Sequence, residues 1–238
     1  MAEDAPMFDA RLTGRIAFSH RAPTQEPLAP GLHKIGLFEE RDYYLVVPEG
    51  LDPQKPAPFM IMFHGGGGSA ERILPVMKVH AEKEGFLLLV PQSLLPTWDI
   101  VIAGNGPDRE RIETAINWVA DRYTLRPDKF AFAGHSDGGS YSLSNGVANG
   151  DFVTHILAFS AGFFVPLHQE GAPHIFIAHG SKDEKTPVET AGRASAAKLK
   201  GAGYDVTYLE YDGPHASQPP IVAVAVRYFL NYPKQPGA

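Results

Sequence analysis

Apolar residues in this chain fall into short continuous runs, separated by stretches with helical spacing. Phe59-Met60-Ile61-Met62-Phe63 and Phe86-Leu87-Leu88-Leu89-Val90 contain no polar residue. Runs of that length between turn residues are what strands buried on both faces of a sheet show. Residues 43–48, 130–133, 155–159, 175–178 and 204–211 also read as strands. Between them, residues 70–84 read as a helix. In the stretch 108–123, Ile112, Ala115, Ile116, Val119 and Tyr123 repeat at helical spacing. Thr186-Pro187-Val188-Glu189 has the form of a capping box with proline at the first helical position, which predicts a helix from there to about Gly201. A last helix is predicted over residues 220–232. Alternating strands and helices imply an α/β protein with a mostly parallel sheet and helices on both faces. The first forty residues fit no element clearly and are left as an N-terminal extension or edge strands. No repeat, linker or low-complexity tract interrupts the rest, so one domain over residues 1–238 is expected.

Composition narrows the function classes. A chain of 238 residues with 44% hydrophobic and 20% charged residues is an ordinary globular composition. The formal net charge is -6 and no Lys/Arg run occurs, which argues against nucleic acid as partner. There is no cysteine, hence no disulfide, no thiolate metal site and no cysteine nucleophile. No apolar stretch is long enough to span a bilayer. The start, Met-Ala-Glu-Asp, lacks the basic and apolar regions of a signal peptide, so a cytoplasmic location is expected. A homodimer is compatible with all of this.

The chemistry centres on Gly134-His135-Ser136-Asp137-Gly138-Gly139. It follows an apolar strand and opens a helix, the setting of a sharp turn that lifts a serine hydroxyl above the strand ends. Glycine is needed on both flanks because larger side chains would collide. A serine needs a base to take its proton. Of the ten histidines, His215 stands out, because it lies in the turn between the last strand and the last helix. His64 and His179 are weaker candidates, each ending an earlier strand. The base needs a carboxylate to fix its tautomer. Asp183 follows a strand and precedes the capped helix, with Glu184 as its rival. A negative tetrahedral oxygen needs preorganised N–H groups. These are expected from Asp137 and from the glycine loop after Phe63, at Gly66 with Gly65 beside it. The Asp137 side chain is not needed for that, and its charge is expected to shape the acyl pocket or to disfavour anionic substrates.

Other readings of the same residues fail. Gly65-x-Gly67-x-x-Ala70 fits a dinucleotide-binding turn, but that turn expects an acid near the end of the next strand, where Val90-Pro91-Gln92-Ser93 stands. No Gly-Lys-Ser/Thr supports a P-loop. No His-Glu-x-x-His supports a metal, and none is expected.

Taken together, His64-Gly65-Gly66-Gly67-Gly68-Ser69, the Ser136 turn, His179-Gly180-Ser181-Lys182-Asp183 and the segment ending at His215 resemble the α/β-hydrolase superfamily. They are similar to bacterial carboxylesterases of the phospholipase/carboxylesterase group, and to polyhydroxybutyrate-depolymerase and feruloyl-esterase-like enzymes. The resemblance covers the chain from about residue 43 onward. It implies a central sheet of about eight strands, no cofactor, and hydrolysis of small-molecule esters through an acyl-enzyme at Ser136, with Asp183 and His215. A lysophospholipase, thioesterase or peptidase would use the same residues, and a non-catalytic binding module on this scaffold is the alternative outside enzymes. Residues 160–173 are too few for a helical cap, so an open cleft suited to short acyl or aryl esters is expected. Trp98, Phe163 and Phe164 are candidate pocket walls, with core or rim packing as their other reading.

Overall fold

The computed structural model describes residues 10–102 and 104–232. At its centre is an eight-stranded sheet. In spatial order the strands are β1 (Gly31–Lys34), β2 (Tyr44–Val47), β4 (Leu87–Val90), β3 (Ala57–Phe63), β5 (Leu125–His135), β6 (His155–Phe159), β7 (His174–Gly180) and β8 (Val206–Tyr211). β2 is antiparallel to both neighbours, and every pairing from β4 through β8 is parallel. The helices are α1 (Ala10–Thr13), α2 (Ala70–Glu84), α3 (Asp99–Ile102), α4 (Pro107–Ala120), α5 (Asp137–Ala148), α6 (Ala194–Gly201) and α7 (Pro219–Asn231).

The side-chain period of a strand sorts its apolar residues between two layers. Phe59, Ile61 and Phe63 pack with Ile112, Ile116 and Val119 of α4 and with Tyr141 and Val147 of α5. Met60 and Met62 point the other way, towards Ile73, Leu74 and Met77 of α2 and Val222, Val226 and Phe229 of α7. Both faces are therefore covered, which is why β3 and β4 carry no polar residue. Each such fully buried side chain contributes roughly 1.5–3 kcal/mol.

The N-terminal segment belongs to this body. Ile16 joins the core, and Phe18 packs on Phe130 and Phe152 at centroid distances of 5.5 and 5.0 Å. Arg15 grips Asp151 through two bonds of 2.6 and 2.7 Å, and Arg21 reaches Asp121 at 2.7 Å. These partners are distant in sequence, so the segment shows no period of its own. It leads into β1 at the sheet edge.

Residues 160–173, between β6 and β7, contain no helix. Among the described residues no helix is long and apolar enough to cross a membrane. The order of β4, β3 and β5 has a functional consequence. The chain moves outward from β3 to β4, then returns to β5 on the other side of β3. That reversal opens a crevice at the carboxyl ends of β3 and β5, where open α/β sheets bind ligands.

Candidate active site

Ser136 sits in that crevice, between β5 and α5, with φ 56° and ψ -122°. A non-glycine residue in such a conformation stores about 1–3 kcal/mol, held by its surroundings. The strain is held by a bond from Ser136 N–H to the Phe159 carbonyl at 2.9 Å and by close packing of the flanking glycines. A Cβ at Gly134 would lie 2.1 Å from the Gly138 carbonyl oxygen, and one at Gly138 would lie 2.3 Å from that of Phe63. The turn thus presses α5 onto the end of β3. Gly138→Ala is expected to cost about 3 kcal/mol or more, seen as a lower urea midpoint at constant slope. Gly201→Ala, where a Cβ meets nothing within 4 Å, is the control and stays near neutral.

Asp183 and His215 meet in the loops after β7 and β8. Backbone bonds join these loops: Ser181 N–H to the Tyr211 carbonyl at 2.8 Å, and Lys182 N–H to the Gly213 carbonyl at 2.9 Å. Gly180 permits the approach, since a Cβ there would fall 2.3 Å from the Gly213 oxygen. The result is a 2.7 Å hydrogen bond from His215 Nδ1 to Asp183 Oδ2. A carboxylate only accepts, so Nδ1 carries the proton and the lone pair is on Nε2. Glu184, the rival acid, is exposed.

Asp183 is buried, and burial pushes its carboxyl pKa up. Thr186 N–H at 2.8 Å, His215 and the Thr186 hydroxyl at 2.9 Å more than offset this, and it comes down to about 2; Lys185 N–H also donates to the carboxylate at 3.0 Å. Thr186 is the residue that the sequence assigned differently. Its hydroxyl does not cap a helix but faces Asp183 and, at 3.2 Å, His215 Nδ1. The helix starts later, with a π-helical turn at Glu189–Arg193 before α6, and has no side-chain cap. That wide turn places Gly192 against the fully buried His179, whose ring a Cβ would approach to 2.7 Å. His179 Nε2 donates to the Thr186 carbonyl at 2.7 Å and lies 3.3 Å from Asp183 Oδ2, so it braces this loop.

The glycine loop after β3 is held as firmly. His64 Nδ1 donates to the Gly65 carbonyl at 2.8 Å, and its Nε2 accepts from Ser93 N–H at 3.2 Å. Burial lowers the His64 pKa and keeps the ring neutral in this role. Gly67 and Gly68 N–H groups donate to Pro96 and Gly65 carbonyls at 2.7 and 2.9 Å. Among the described residues the Gly65 and Gly66 N–H groups meet no acceptor. A Cβ on Gly65 would lie 3.2 Å from Ser136 Cβ, so this backbone stands beside the serine. Asp137 N–H, in the first turn of α5, has no intrahelical acceptor either.

His215 packs against His135, the residue before Ser136. The Tyr211 hydroxyl donates to the Ala216 carbonyl, Ser217 Oγ lies 3.1 Å from His135 Nδ1, and the rings of His135 and His215 meet at 4.7 Å. Burial, with His215 alongside, pushes His135 down to about 4, so it is a neutral neighbour. Among the described residues neither the Ser136 hydroxyl nor His215 Nε2 has a hydrogen-bond partner. Such pairs are commonly open without substrate and tighten around it. A cavity of about 450 Å³ opens on the His215 side, lined by Lys182, Glu184, Lys185 and Pro214. One of about 190 Å³ lies on the glycine-loop side, lined by residues including Gly66, Arg72, Ile73 and His135. Among the described residues no group of His, Asp and Glu is placed to hold a metal.

Of the two readings of the aromatics, core packing holds for Trp98 and Phe164. Trp98 is fully buried: it packs on Phe63, His64 and Tyr141, and its indole N–H donates to the His64 carbonyl at 2.8 Å. It holds the glycine loop from below instead of lining the cleft. Phe164 is also buried, with the Lys198 ammonium 5.3 Å from its ring centre. Phe163 is half-exposed, its N–H on Ser140 Oγ at 3.2 Å. The loop bearing Trp98 is anchored by Asp99 and Asp108. Asp108 accepts from Leu94 N–H at 2.8 Å, and Asp99 from Gly106 N–H at 2.8 Å. Burial, reinforced by the Asp99 charge, brings Asp108 up to about 6 despite its N–H donors.

This sheet order, with a serine in a strained turn after β5 and a histidine–carboxylate pair after β8 and β7, is the α/β-hydrolase fold. Solved structures of that fold superpose on it over most of its length. A ferulic acid esterase from Anaeromyces mucronatus, in complex with ferulic acid, superposes with a TM-score of 0.64 at 17% identity, covering 87% of this chain and 92% of that one. A fluorophosphonate-binding serine hydrolase of Staphylococcus aureus superposes with a TM-score of 0.67 at 13% identity, covering 86% of this chain and all of that one (100%). Among curated proteins, feruloyl esterase C of Emericella nidulans is 22% identical, with 86% of this chain and 89% of that protein covered. Acyl-protein thioesterase 1 of Gibberella zeae is 30% identical over a shorter stretch, 44% of this chain and 48% of that protein. No protein-family profile matches the chain. The chain thus resembles the serine esterases of the α/β-hydrolase fold.

Proposed function

We propose that this protein is a serine carboxylesterase that hydrolyses short acyl or aryl esters through an acyl-enzyme. One observation carries the reading: the 2.7 Å bond between His215 and Asp183, at the same sheet edge as a serine in a strained turn. Ser136 Oγ attacks the ester carbonyl while His215 Nε2 takes its proton. The carbonyl oxygen becomes an oxyanion between the N–H groups of Asp137 and of Gly66 or Gly65. Such donors contribute about 3 kcal/mol each. Collapse expels the alcohol, which takes the proton back from Nε2. Water then repeats the sequence on the acyl-serine, giving the acid and free Ser136. Asp183 keeps Nδ1 protonated and stabilises the imidazolium that forms in both halves.

The absence of a helix between β6 and β7 supports an accessible cleft, and the feruloyl esterases among the relatives support an acyl group that carries an aromatic ring. The local likeness to a thioesterase supports a second reading on the same residues. Initial rates on p-nitrophenyl esters of increasing chain length, beside the thioester of the best acyl group, separate the two. Fastest turnover with short or aryl acyl oxygen esters is expected. A strong preference for the thioester, or for long chains, would contradict the proposed substrate class.

A further inference from the structure

Asp137 is needed at its backbone, yet its side chain also occupies the site. The Thr97 hydroxyl donates to Asp137 Oδ2 at 2.6 Å. A Cβ at Gly66 would fall 2.4 Å from that same oxygen. The carboxylate therefore lies against the backbone of the glycine proposed to hold the oxyanion. It is half-exposed, and among the described residues no cation pairs with it and none donates to Oδ1. The lysines of the site lie on the other side, lining the cavity at His215, where Lys182 is paired with Asp212 at 2.6 Å. A negative charge with no ion pair among the described residues thus stands at the crevice, and the cation on this side, Arg72, lines the adjoining glycine-loop cavity with its guanidinium 3.5 Å from the Gly67 carbonyl.

We infer that Asp137 is a charge-selecting residue. It favours esters that are neutral, or that carry a cationic or hydrogen-bond-donating group near the carbonyl, and rejects esters bearing a carboxylate or phosphate there. Thr97 holds the carboxylate in place for this. The inference rests on the esterase reading above. Two charges a few ångströms apart in a half-exposed cleft interact strongly enough to change rates on the order of tenfold at low salt, and much less at high salt.

The test uses three aryl acetates that differ in charge: para-acetoxybenzoate, its methylamide and para-acetoxy-N,N,N-trimethylanilinium. Values of kcat/KM are measured for the wild-type protein and for Asp137→Asn. Intrinsic leaving-group reactivity cancels in the ratio of ratios, as does any effect of Asp137 on the oxyanion itself. The neutral-to-anionic preference is expected to fall by about tenfold in Asp137→Asn, with the cationic preference falling in parallel. Asp137→Ser, smaller and equally uncharged, is expected to give the same shift and serves if the amide disturbs the turn. High salt is expected to compress the wild-type ratio and leave those of the variants almost unmoved. Unchanged ratios in both variants, with Ser136-dependent turnover intact, would overturn charge selection and leave the esterase reading standing. No turnover of any of the three by folded wild-type protein, with no fluorophosphonate labelling of Ser136, would overturn the esterase reading and this inference with it.

Discussion

Replacing Ser136 by alanine is expected to lower ester turnover by about 10⁴-fold or more, since losing a nucleophile leaves only binding and oxyanion stabilisation. The fold is expected to survive. The hydroxyl has no hydrogen-bond partner among the described residues, and the strained backbone is held by Phe159 and by the flanking glycines, none of which the substitution touches. Stability should stay within about 0.5 kcal/mol of wild type. Turnover and a urea unfolding curve on the same sample check both halves. A large loss of activity with an unchanged midpoint separates a chemical role from a structural one.

Asp183→Asn is expected to lower kcat by about 10⁴-fold with little change in KM. An amide can turn its NH₂ to His215 Nδ1, which stabilises the wrong tautomer and puts the proton on Nε2. It also sets a donor against the Thr186 hydroxyl, which donates to the same Oδ2 that faces His215, while the Lys185 and Thr186 N–H groups keep an oxygen at Oδ1. Leaving such a donor unmatched costs about 1–3 kcal/mol, so this variant, unlike Ser136→Ala, should also melt earlier. Glu184→Gln is the comparison. Its side chain is exposed and is not bonded to His215, so kcat should stay close to wild type. An equal loss in both acids would mean that the loop and not the carboxylate matters.

How far the site could be read from sequence follows from what each residue needs. The placement of Ser136, Asp183 and His215 after the carboxyl ends of strands was legible, because strand runs are written locally in β-prone apolar residues. The register of the parallel strands then brings those ends to one edge. Gly134 and Gly138 were legible for a related reason, since close backbone approach leaves no other residue type. Thr186 was not. Thr-Pro-Val-Glu is a sound local capping signal, but Asp183 competes for the hydroxyl and wins, and that competition depends on the fold of a loop. Trp98 had two readings, pocket wall and core packing, because a large aromatic on a polar loop fits both. Only the structure shows the His64 carbonyl to which its N–H is bonded. Residues 10–40 were legible only as an extension or edge strands, because contacts such as that of Arg15 with Asp151 lie far along the chain.

The most direct test of the central proposal is to find which residue a fluorophosphonate modifies. The protein is treated with the reagent, and turnover and tandem mass spectra are followed together. A single adduct on Ser136, formed in step with loss of ester hydrolysis and absent from Asp183→Asn on the same timescale, is the expected result. An adduct on another residue, or full labelling of Ser136 with turnover undiminished, would contradict it.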